Sequence, residues 1–245
     1  MIFYFTGTGN SLAAARALAA EGEPVIDITR AQEKGSFTYE VEPGEKVGFV
    51  YPEYCSSVCR PMVDFVRRVT LKNAKYVYAV ITCASGKAKS AGYFAHLLAE
   101  HDISLSVWFS VMMPNNCLIY FPTQDGDKAA EVLREADAQL AQIKTELSKK
   151  ALRNPGKWRA GAFSQNIVKI MGTTKPYRVT DKCIGCGQCA KNCPDHAIQM
   201  HGNRPVWVKK SCAKCTACIN RCPAQAIEHG KGSAERQRYV HPILK

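Results

Sequence analysis

Eight of the twelve cysteines follow one pattern that occurs twice. The two copies are Cys183-Ile-Gly-Cys186-Gly-Gln-Cys189-Ala-Lys-Asn-Cys193-Pro194 and Cys212-Ala-Lys-Cys215-Thr-Ala-Cys218-Ile-Asn-Arg-Cys222-Pro223. The spacing C-x₂-C-x₂-C-x₃-C-P is the ligand run of bacterial-type [4Fe-4S] clusters, whereas structural zinc sites typically combine two C-x₂-C pairs or add histidine. The pattern therefore predicts two iron–sulfur clusters rather than zinc sites or a disulfide framework.

Residues 178–231 resemble the bacterial ferredoxins that hold two [4Fe-4S] clusters. In those proteins the last cysteine of each run ligates the other cluster. The resemblance implies one cluster on Cys183, Cys186, Cys189 and Cys222, and a second on Cys212, Cys215, Cys218 and Cys193. Crossed ligands of this kind imply that the clusters lie close together and exchange electrons readily.

A second motif lies near the other end of the chain. The apolar segment 2–5 predicts a strand, and an Ala/Leu-rich helix follows it after a turn rich in small polar residues: Thr6, Gly7, Thr8, Gly9, Asn10 and Ser11. Backbone amides and hydroxyls at a helix N-terminus suit a terminal phosphate, with no need for lysine. The turn lacks the GxGxxG pattern of dinucleotide sites, so it favours FMN over NAD or FAD.

Alternating strands and helices fill residues 1–150. Apolar runs predict strands at 1–5, 25–28, 47–51, 76–82 and 105–111, and helical periodicity covers 10–20, 60–69, 90–101 and 129–147. This order predicts an α/β domain with a doubly wound parallel sheet covered on both faces. The segment 30–45 carries no strong helical pattern, so one crossover is expected to be abbreviated.

Residues 1–150 look like a flavodoxin, which implies two further loops around the flavin ring. These would be Pro52-Glu53-Tyr54-Cys55 and Thr82-Cys83-Ala84-Ser85-Gly86, with Tyr54 stacking on the isoalloxazine. The whole chain resembles prokaryotic flavodoxin–ferredoxin fusion proteins, which place an FMN fold before two cubane clusters. A Met-Pro-Asn segment of that family is similar to 113–116 here and implies a third flavin contact or a domain junction.

The domain boundaries follow from these patterns. We expect a flavodoxin-like FMN domain at 1–150, a packed connector at 151–177, a small α+β 2[4Fe-4S] ferredoxin domain at 178–231 and a basic tail at 232–245. The connector carries Trp158, Phe163, Ile167, Ile170 and Met171 among basic residues. Cys55, Cys59, Cys83 and Cys117 match no ligand run and are interpreted as ordinary thiols.

The charge is unevenly distributed. Residues 1–150 hold sixteen Lys and Arg against seventeen Asp and Glu, while residues 151–245 hold seventeen against four. A basic second half predicts a redox protein partner with an acidic surface: a ferredoxin, a reductase or a low-potential oxidoreductase. No nucleic-acid recognition motif accompanies the basic residues, and no run reaches the roughly eighteen apolar residues of a membrane span. We therefore expect a cytoplasmic protein of a low-oxygen setting that binds neither nucleic acid nor membrane.

These features predict an electron-transfer protein. A flavin handles two electrons and each cubane one, so the chain would pass electrons between two [4Fe-4S] clusters and FMN, and to or from the partner. The alternative is an FMN-dependent reductase of a small organic acceptor, a quinone or a nitro compound, with the clusters as internal supply. Its proton donor would have to be Glu53, Tyr54 or Cys55. No catalytic residue is assigned.

Overall fold

The computed structural model describes residues 1–124, 126–156 and 172–244. They form two compact units. The first contains the described residues of 1–6, 10–113 and 130–161, and the second contains those of 7–9, 114–129 and 162–245. The sequence boundary at residue 150 therefore does not coincide with the division in space, because 7–9 and 114–129 pack with the cysteine-rich part of the chain.

A parallel sheet forms the centre of the first unit. Its main strands are β1 (Ile2–Tyr4), β2 (Val25–Asp27), β4 (Val47–Tyr54), β7 (Val77–Cys83) and β8 (Leu105–Met112), in the order β2-β1-β4-β7-β8. Counted among these five, the order is 2-1-3-4-5, the doubly wound order of flavodoxin-like sheets. The connections on either side of β1 run in opposite directions, which opens a crevice at the carboxyl ends of β1 and β4.

Helices cover both faces of this sheet, as the near-continuous apolar strands require. The helices are α1 (Asn10–Leu18), α2 (Ile28–Glu33), α3 (Arg60–Val66), α4 (Ala91–Ala99) and α5 (Gly126–Ser148). One core layer joins α1 and α5 to the strands through residues such as Ala14, Leu140, Ile2, Val80 and Val107. The other is aromatic and joins α3 and α4 to the strands through Phe65, Phe94, Phe3 and Phe49. The predicted α/β fold class is confirmed.

Four short elements were not predicted. The abbreviated crossover contains α2, whose first turn is capped by Asp27: the Asp27 carboxylate accepts from the Thr29 amide at 2.9 Å. Strands β3 (Thr38–Glu40) and β6 (Thr70–Lys72) form a separate parallel pair. Strand β5 (Ser57–Val58) pairs antiparallel with the end of β4.

The second unit is a small α+β structure. Strand β9 (Tyr177–Val179) pairs antiparallel with β12 (Ile227–His229), and β10 (Ile198–His201) forms a hairpin with β11 (Arg204–Trp207). Two short helices, Gln188–Lys191 and Ala217–Asn220, contain the third cysteine of the first and second repeat, Cys189 and Cys218. Its core contains Leu118, Ile119, Tyr177, Ile219 and Ile227. The predicted ferredoxin-like second domain is confirmed.

The structure describes the predicted tail up to residue 244, but only residues 151–156 and 172–177 of the predicted connector. The connector's five apolar residues, 158, 163, 167, 170 and 171, lie outside the described residues. The tail is packed into the second unit: Ser233 and Tyr239 are buried, and the Arg236 guanidinium donates to the Leu118 carbonyl at 2.7 Å. A 3₁₀ turn at Pro242–Leu244 ends it. Among the described helices, none combines the length and apolarity needed to cross a membrane.

Candidate iron–sulfur and flavin sites

The cysteines Cys183, Cys186, Cys189 and Cys222 surround one cavity of the second unit. Its wall is completed by apolar groups that include Met200, Pro205 and Ile227. Cys186 is exposed, and the neighbouring Ile184 is 69% exposed. The wall of this first cavity is therefore thin on the solvent side.

The cysteines Cys193, Cys212, Cys215 and Cys218 surround a second cavity. Here Cys215 is buried, and the walls include Tyr177, Trp207 and Ile198. Burial raises the pKa of the Cys215 and Cys218 thiols, which opposes their ionisation in the metal-free chain. Iron coordination supplies the opposite effect, because a coordinating thiol is deprotonated.

Four thiols line each of the two cavities, which is the number of ligands that a [4Fe-4S] cubane needs. In the described residues no group of three or more Cys, His, Asp or Glu side chains converges closely enough to hold a single metal ion. Four thiols that ring a cavity instead match the four corner irons of a [4Fe-4S] core. The fourth cysteine of each repeat also accepts a hydrogen bond from an amide four residues later: Ala197 N–H to Cys193 Sγ and Ala226 N–H to Cys222 Sγ, each at 3.3 Å.

The two repeats have the same backbone despite different residues. Gly185 and Gly187 have φ of +69° and +70°, and the corresponding residues of the second repeat, Lys214 and Thr216, have φ of +53° and +57°. His196 is exposed and has φ +48°, the same value as its counterpart in the second repeat, Gln225. The duplication therefore extends to left-handed positions that glycine alone would occupy easily.

The turn Thr6–Ser11 connects β1 to the nine-residue helix α1. Thr8 is fully buried in the second unit, where its hydroxyl oxygen accepts from the Asn116 side-chain amide at 2.8 Å. That bond occupies a lone pair and leaves the Thr8 hydroxyl proton to be donated elsewhere. The site of a phosphate monoester needs donors of this kind.

Asn10 and Ser11 begin α1 in the first unit, and both are buried. The Ser11 hydroxyl lies 2.8 Å from the hydroxyl of Thr82, at the carboxyl end of β7. Since one of the two hydroxyls donates to the other, one proton of the pair is left for a ligand. The bond joins two segments that the sequence assigns to the flavin, the turn after β1 and the loop after β7.

Gly7 and Gly9 pack tightly within the second unit. A Cβ placed on Gly7 would lie 2.2 Å from the main-chain oxygen of Cys215, and one on Gly9 would lie 2.7 Å from Cβ of His241. The His241 amide also donates to the Thr8 carbonyl at 2.8 Å. The turn is therefore in direct contact with a cysteine loop on one side and with the C-terminal tail on the other.

The segment predicted as the first ring loop is mostly strand. Pro52, Glu53 and Tyr54 belong to β4, and Cys55 and Ser56 form the two-residue turn to β5 with φ of +53° and +57°. Positive φ at both positions is the mark of a type I′ hairpin. Tyr54 is half-buried and Cys55 exposed at the end of this hairpin.

Glu53 has a structural role. Its carboxylate accepts from the amides of Lys89 and Ser90 at 2.6 and 2.7 Å, and so caps the N-terminus of α4. Both amides donate to the same carboxylate oxygen, so Glu53 joins the end of β4 to the start of α4.

The second predicted ring loop follows β7. Ala84 and Ser85 are exposed at its tip, and Gly86 has φ +66°. The Cys83 thiol lies 3.5 Å from the Ser110 hydroxyl, which in turn accepts from the Ala88 amide. This loop is thus open at its tip and fixed at its base.

Several residues of these sites gave no sequence signal. The Asn116 carbonyl accepts from the Thr216 hydroxyl and the Asn220 side-chain amide, each at 3.0 Å, and the Asn220 side-chain oxygen accepts from the Tyr239 amide at 3.0 Å. Asn116 falls in the segment expected to be a flavin contact or a domain junction, and it packs within the second unit. Together with Thr8, these residues form one polar network of buried or half-buried groups.

Comparison with known families agrees with the cysteine geometry. Residues 175–223 match the family described as a 4Fe-4S dicluster domain. The match covers the eight cysteines of the two repeats and about a fifth of the chain. No curated protein matches the chain. The second unit thus carries a 4Fe-4S cluster domain, of the kind used in iron–sulfur electron transfer.

Proposed function

We propose that the protein is an electron-transfer iron–sulfur flavoprotein with two [4Fe-4S] clusters and one FMN, related to the flavodoxin–ferredoxin fusion proteins. The clusters would be held by Cys183, Cys186, Cys189 and Cys222 and by Cys193, Cys212, Cys215 and Cys218. FMN would be held by the Thr6–Ser11 turn, with Pro52, Tyr54, Cys55 and the 82–86 loop toward its ring. When bound, these groups supply one-electron steps at the clusters and a two-electron reservoir at the flavin.

The cysteine sets support the cluster half of this proposal. Each set combines three cysteines of one repeat with the last cysteine of the other around a single cavity. The chain's own part is to exclude water from the second set, through Tyr177, Trp207 and Ile198, while it leaves the first set near solvent. Different exposure gives clusters of the same type different reduction potentials, which favours directional transfer.

Contact between the turn and a cysteine loop is the observation that carries the link to FMN. Gly7 lies against the Cys215 carbonyl, and Thr8 is joined through Asn116 to Thr216 and Asn220. If this turn binds the FMN phosphate, the phosphate lies beside the loop of a proposed cluster ligand, Cys215. A carrier with two kinds of redox centre requires such proximity.

The first experiment is cofactor analysis of anaerobically purified protein. About one FMN, eight iron and eight sulfide per chain would support the proposal. Eight iron atoms per chain without flavin would mean that the protein acts as a ferredoxin and that its α/β domain binds no FMN. Fast, saturable reduction of a quinone or a nitroaromatic compound would instead favour the reductase.

A conservative variant tests the flavin site separately. Thr8→Val keeps the shape of the side chain but removes the hydroxyl proton that Asn116 orients. Loss of one hydrogen bond to a charged phosphate costs about 1.5–3 kcal/mol, so FMN should bind roughly 10- to 100-fold more weakly. Iron content should be unchanged. Thr70→Val, on an exposed strand position of the first unit, is the matched control, and equal FMN affinity in both variants would contradict the assignment.

A further inference from the structure

A shallow groove runs between strands β9 and β11 of the second unit, and its described lining is basic. Lys175, Arg178, Lys209 and Lys210 contribute to it, and no described lining residue is acidic. Arg178 is neutralised by Glu228, to which its Nε donates at 2.7 Å. Lys209 donates to the main-chain carbonyl of Asp195, a contact that leaves its positive charge uncompensated. Three lysines therefore give the groove a net positive charge.

The same groove carries exposed apolar surface. Val206 and Val208 are 42% and 44% exposed and lie on the rim between the charged residues. Apolar contacts ringed by charge are the usual anatomy of a protein–protein interface. A nucleic-acid backbone is held mainly by positive charge and would not require the two valines.

The floor of the groove is the wall of both cysteine cavities. Tyr177 and Trp207 stack with their ring centroids 5.0 Å apart and their planes at 6°, and both line the groove and the second cavity. Pro205 lines the groove and the first cavity. A single layer of side chains thus separates the groove from both candidate clusters. Because electron transfer slows steeply with distance, this surface is a favourable place for a redox partner to dock.

We propose that this groove docks a small acidic one-electron carrier protein, whose carboxylates meet Lys175, Lys209 and Lys210 and whose apolar centre meets Val206 and Val208. This inference rests on the proposed function, since it requires clusters behind the groove floor. One electron passes between the carrier's redox centre and the cysteine-bound iron, so that one is oxidised as the other is reduced, with no bond made or broken and no proton required. Electron-transfer encounters of this class bury less than about 1,200 Å² and depend on electrostatic steering.

The test uses the full chain with its clusters. The probe is a purified acidic bacterial ferredoxin with two [4Fe-4S] clusters, and binding is measured anaerobically by calorimetry at low salt. The double variant Lys175→Glu/Lys210→Glu reverses two charges of the groove and should weaken binding at least about tenfold. The matched control Lys149→Glu/Lys231→Glu reverses two exposed lysines outside the groove lining and should stay within about twofold of the unmodified chain. A third variant, Val206→Asp, should also weaken binding, by loss of apolar contact and repulsion of the partner.

Several outcomes would overturn the inference. Equal weakening by the two lysine pairs would mean that overall charge, not the groove, attracts the probe. If the groove double variant binds the ferredoxin as tightly as the unmodified chain, the ferredoxin docks elsewhere. If that variant binds duplex DNA or anionic vesicles more weakly but binds the ferredoxin normally, the groove serves a different partner. Iron content separates the two proposals. A chain that lacks cluster iron would refute the proposed function. A chain with full iron content, whose groove variants bind the ferredoxin normally, would refute only the docking proposal.

Discussion

Substitution of Gly7 by alanine isolates the contact between the phosphate-type turn and the second cysteine loop. The new Cβ would lie 2.2 Å from the Cys215 carbonyl oxygen and 3.2 Å from Cys215 Cβ. The closest carbon–oxygen contacts in folded proteins are about 3.3 Å, so the turn or the loop must move by about 1 Å. Gly7 does not have positive φ, unlike Gly9, so alanine can adopt its backbone conformation and the collision is the main effect.

The magnitude follows from the nature of the obstacle. The main-chain carbonyl of Cys215 cannot rotate away as a flexible side chain would. Overpacking of this kind costs typically 1–3 kcal/mol, so we expect the free energy of unfolding to fall by about 2 kcal/mol. With a urea dependence of about 2 kcal/mol per molar, the unfolding midpoint of the second unit should fall by about 1 M.

The assay is anaerobic urea unfolding of the cluster-loaded protein, followed by cluster absorbance and by the rate of iron release to a chelator. Gly126→Ala is the control, because a Cβ at this first position of α5 meets nothing within 4 Å. The control should be neutral or more stable by up to about 1 kcal/mol. If Gly7→Ala unfolds at the same urea concentration as the control and releases iron no faster, the packing of the turn on the cysteine loop is wrong.

Three further changes test separate parts of the structure. Gln225→Gly should raise the free energy of unfolding by about 0.5–1 kcal/mol, because this exposed residue has φ +48°, a conformation that glycine adopts more easily. The control Gln199→Gly, on strand β10, should lower the free energy of unfolding by a similar amount. Thermal unfolding measures both changes. Glu53→Ala should cost about 1 kcal/mol by removing the cap of α4, and an unchanged melting temperature would exclude that role. Cys222→Ala should reduce iron from about eight to about four per chain. Adding Cys183→Ala should remove no more iron if the ligands are crossed, whereas adding Cys212→Ala should remove the rest; the reverse result would establish uncrossed ligation.

The fold of the first unit could be predicted because its strands are buried on both faces and its helices have clear periodicity. The elements that were missed depend on contacts outside their own segment. The β4–β5 hairpin turns at Cys55 and Ser56, where an Asn-Gly or Asp-Gly pair would have signalled a type I′ turn and neither occurs. The interpretation of 52–55 as a flavin-ring loop came from the resemblance to flavodoxins, and no local turn signal pointed to a hairpin there.

The division of the chain could not be predicted from composition. Thr8 and Asn116 form a hydrogen bond although they are 108 residues apart in sequence. Thr216 and Asn220, which donate to the Asn116 carbonyl, are 100 and 104 residues away from it in sequence. Single asparagines and threonines are common in loops, and no local pattern marks which of them will meet. The residues 7–9 and 114–129 are therefore assigned to the cysteine-rich unit by packing alone, although the sequence places them in the α/β half.

Differences between the two cysteine repeats indicate that the loops have separate roles. The first repeat has glycine at both left-handed positions, whereas the second has Lys214 and Thr216, each of which costs about 1–2 kcal/mol in that conformation. Their side chains offset this cost: Lys214 Nζ lies 2.7 Å from Nε2 of His229 and 4.8 Å from the centre of the Tyr177 ring, and the Thr216 hydroxyl donates to the Asn116 carbonyl. The second loop is thereby fixed to the network that reaches Thr8, and the first loop has no equivalent side chains. The second repeat therefore keeps its left-handed positions through side-chain contacts, whereas the first keeps them through glycine.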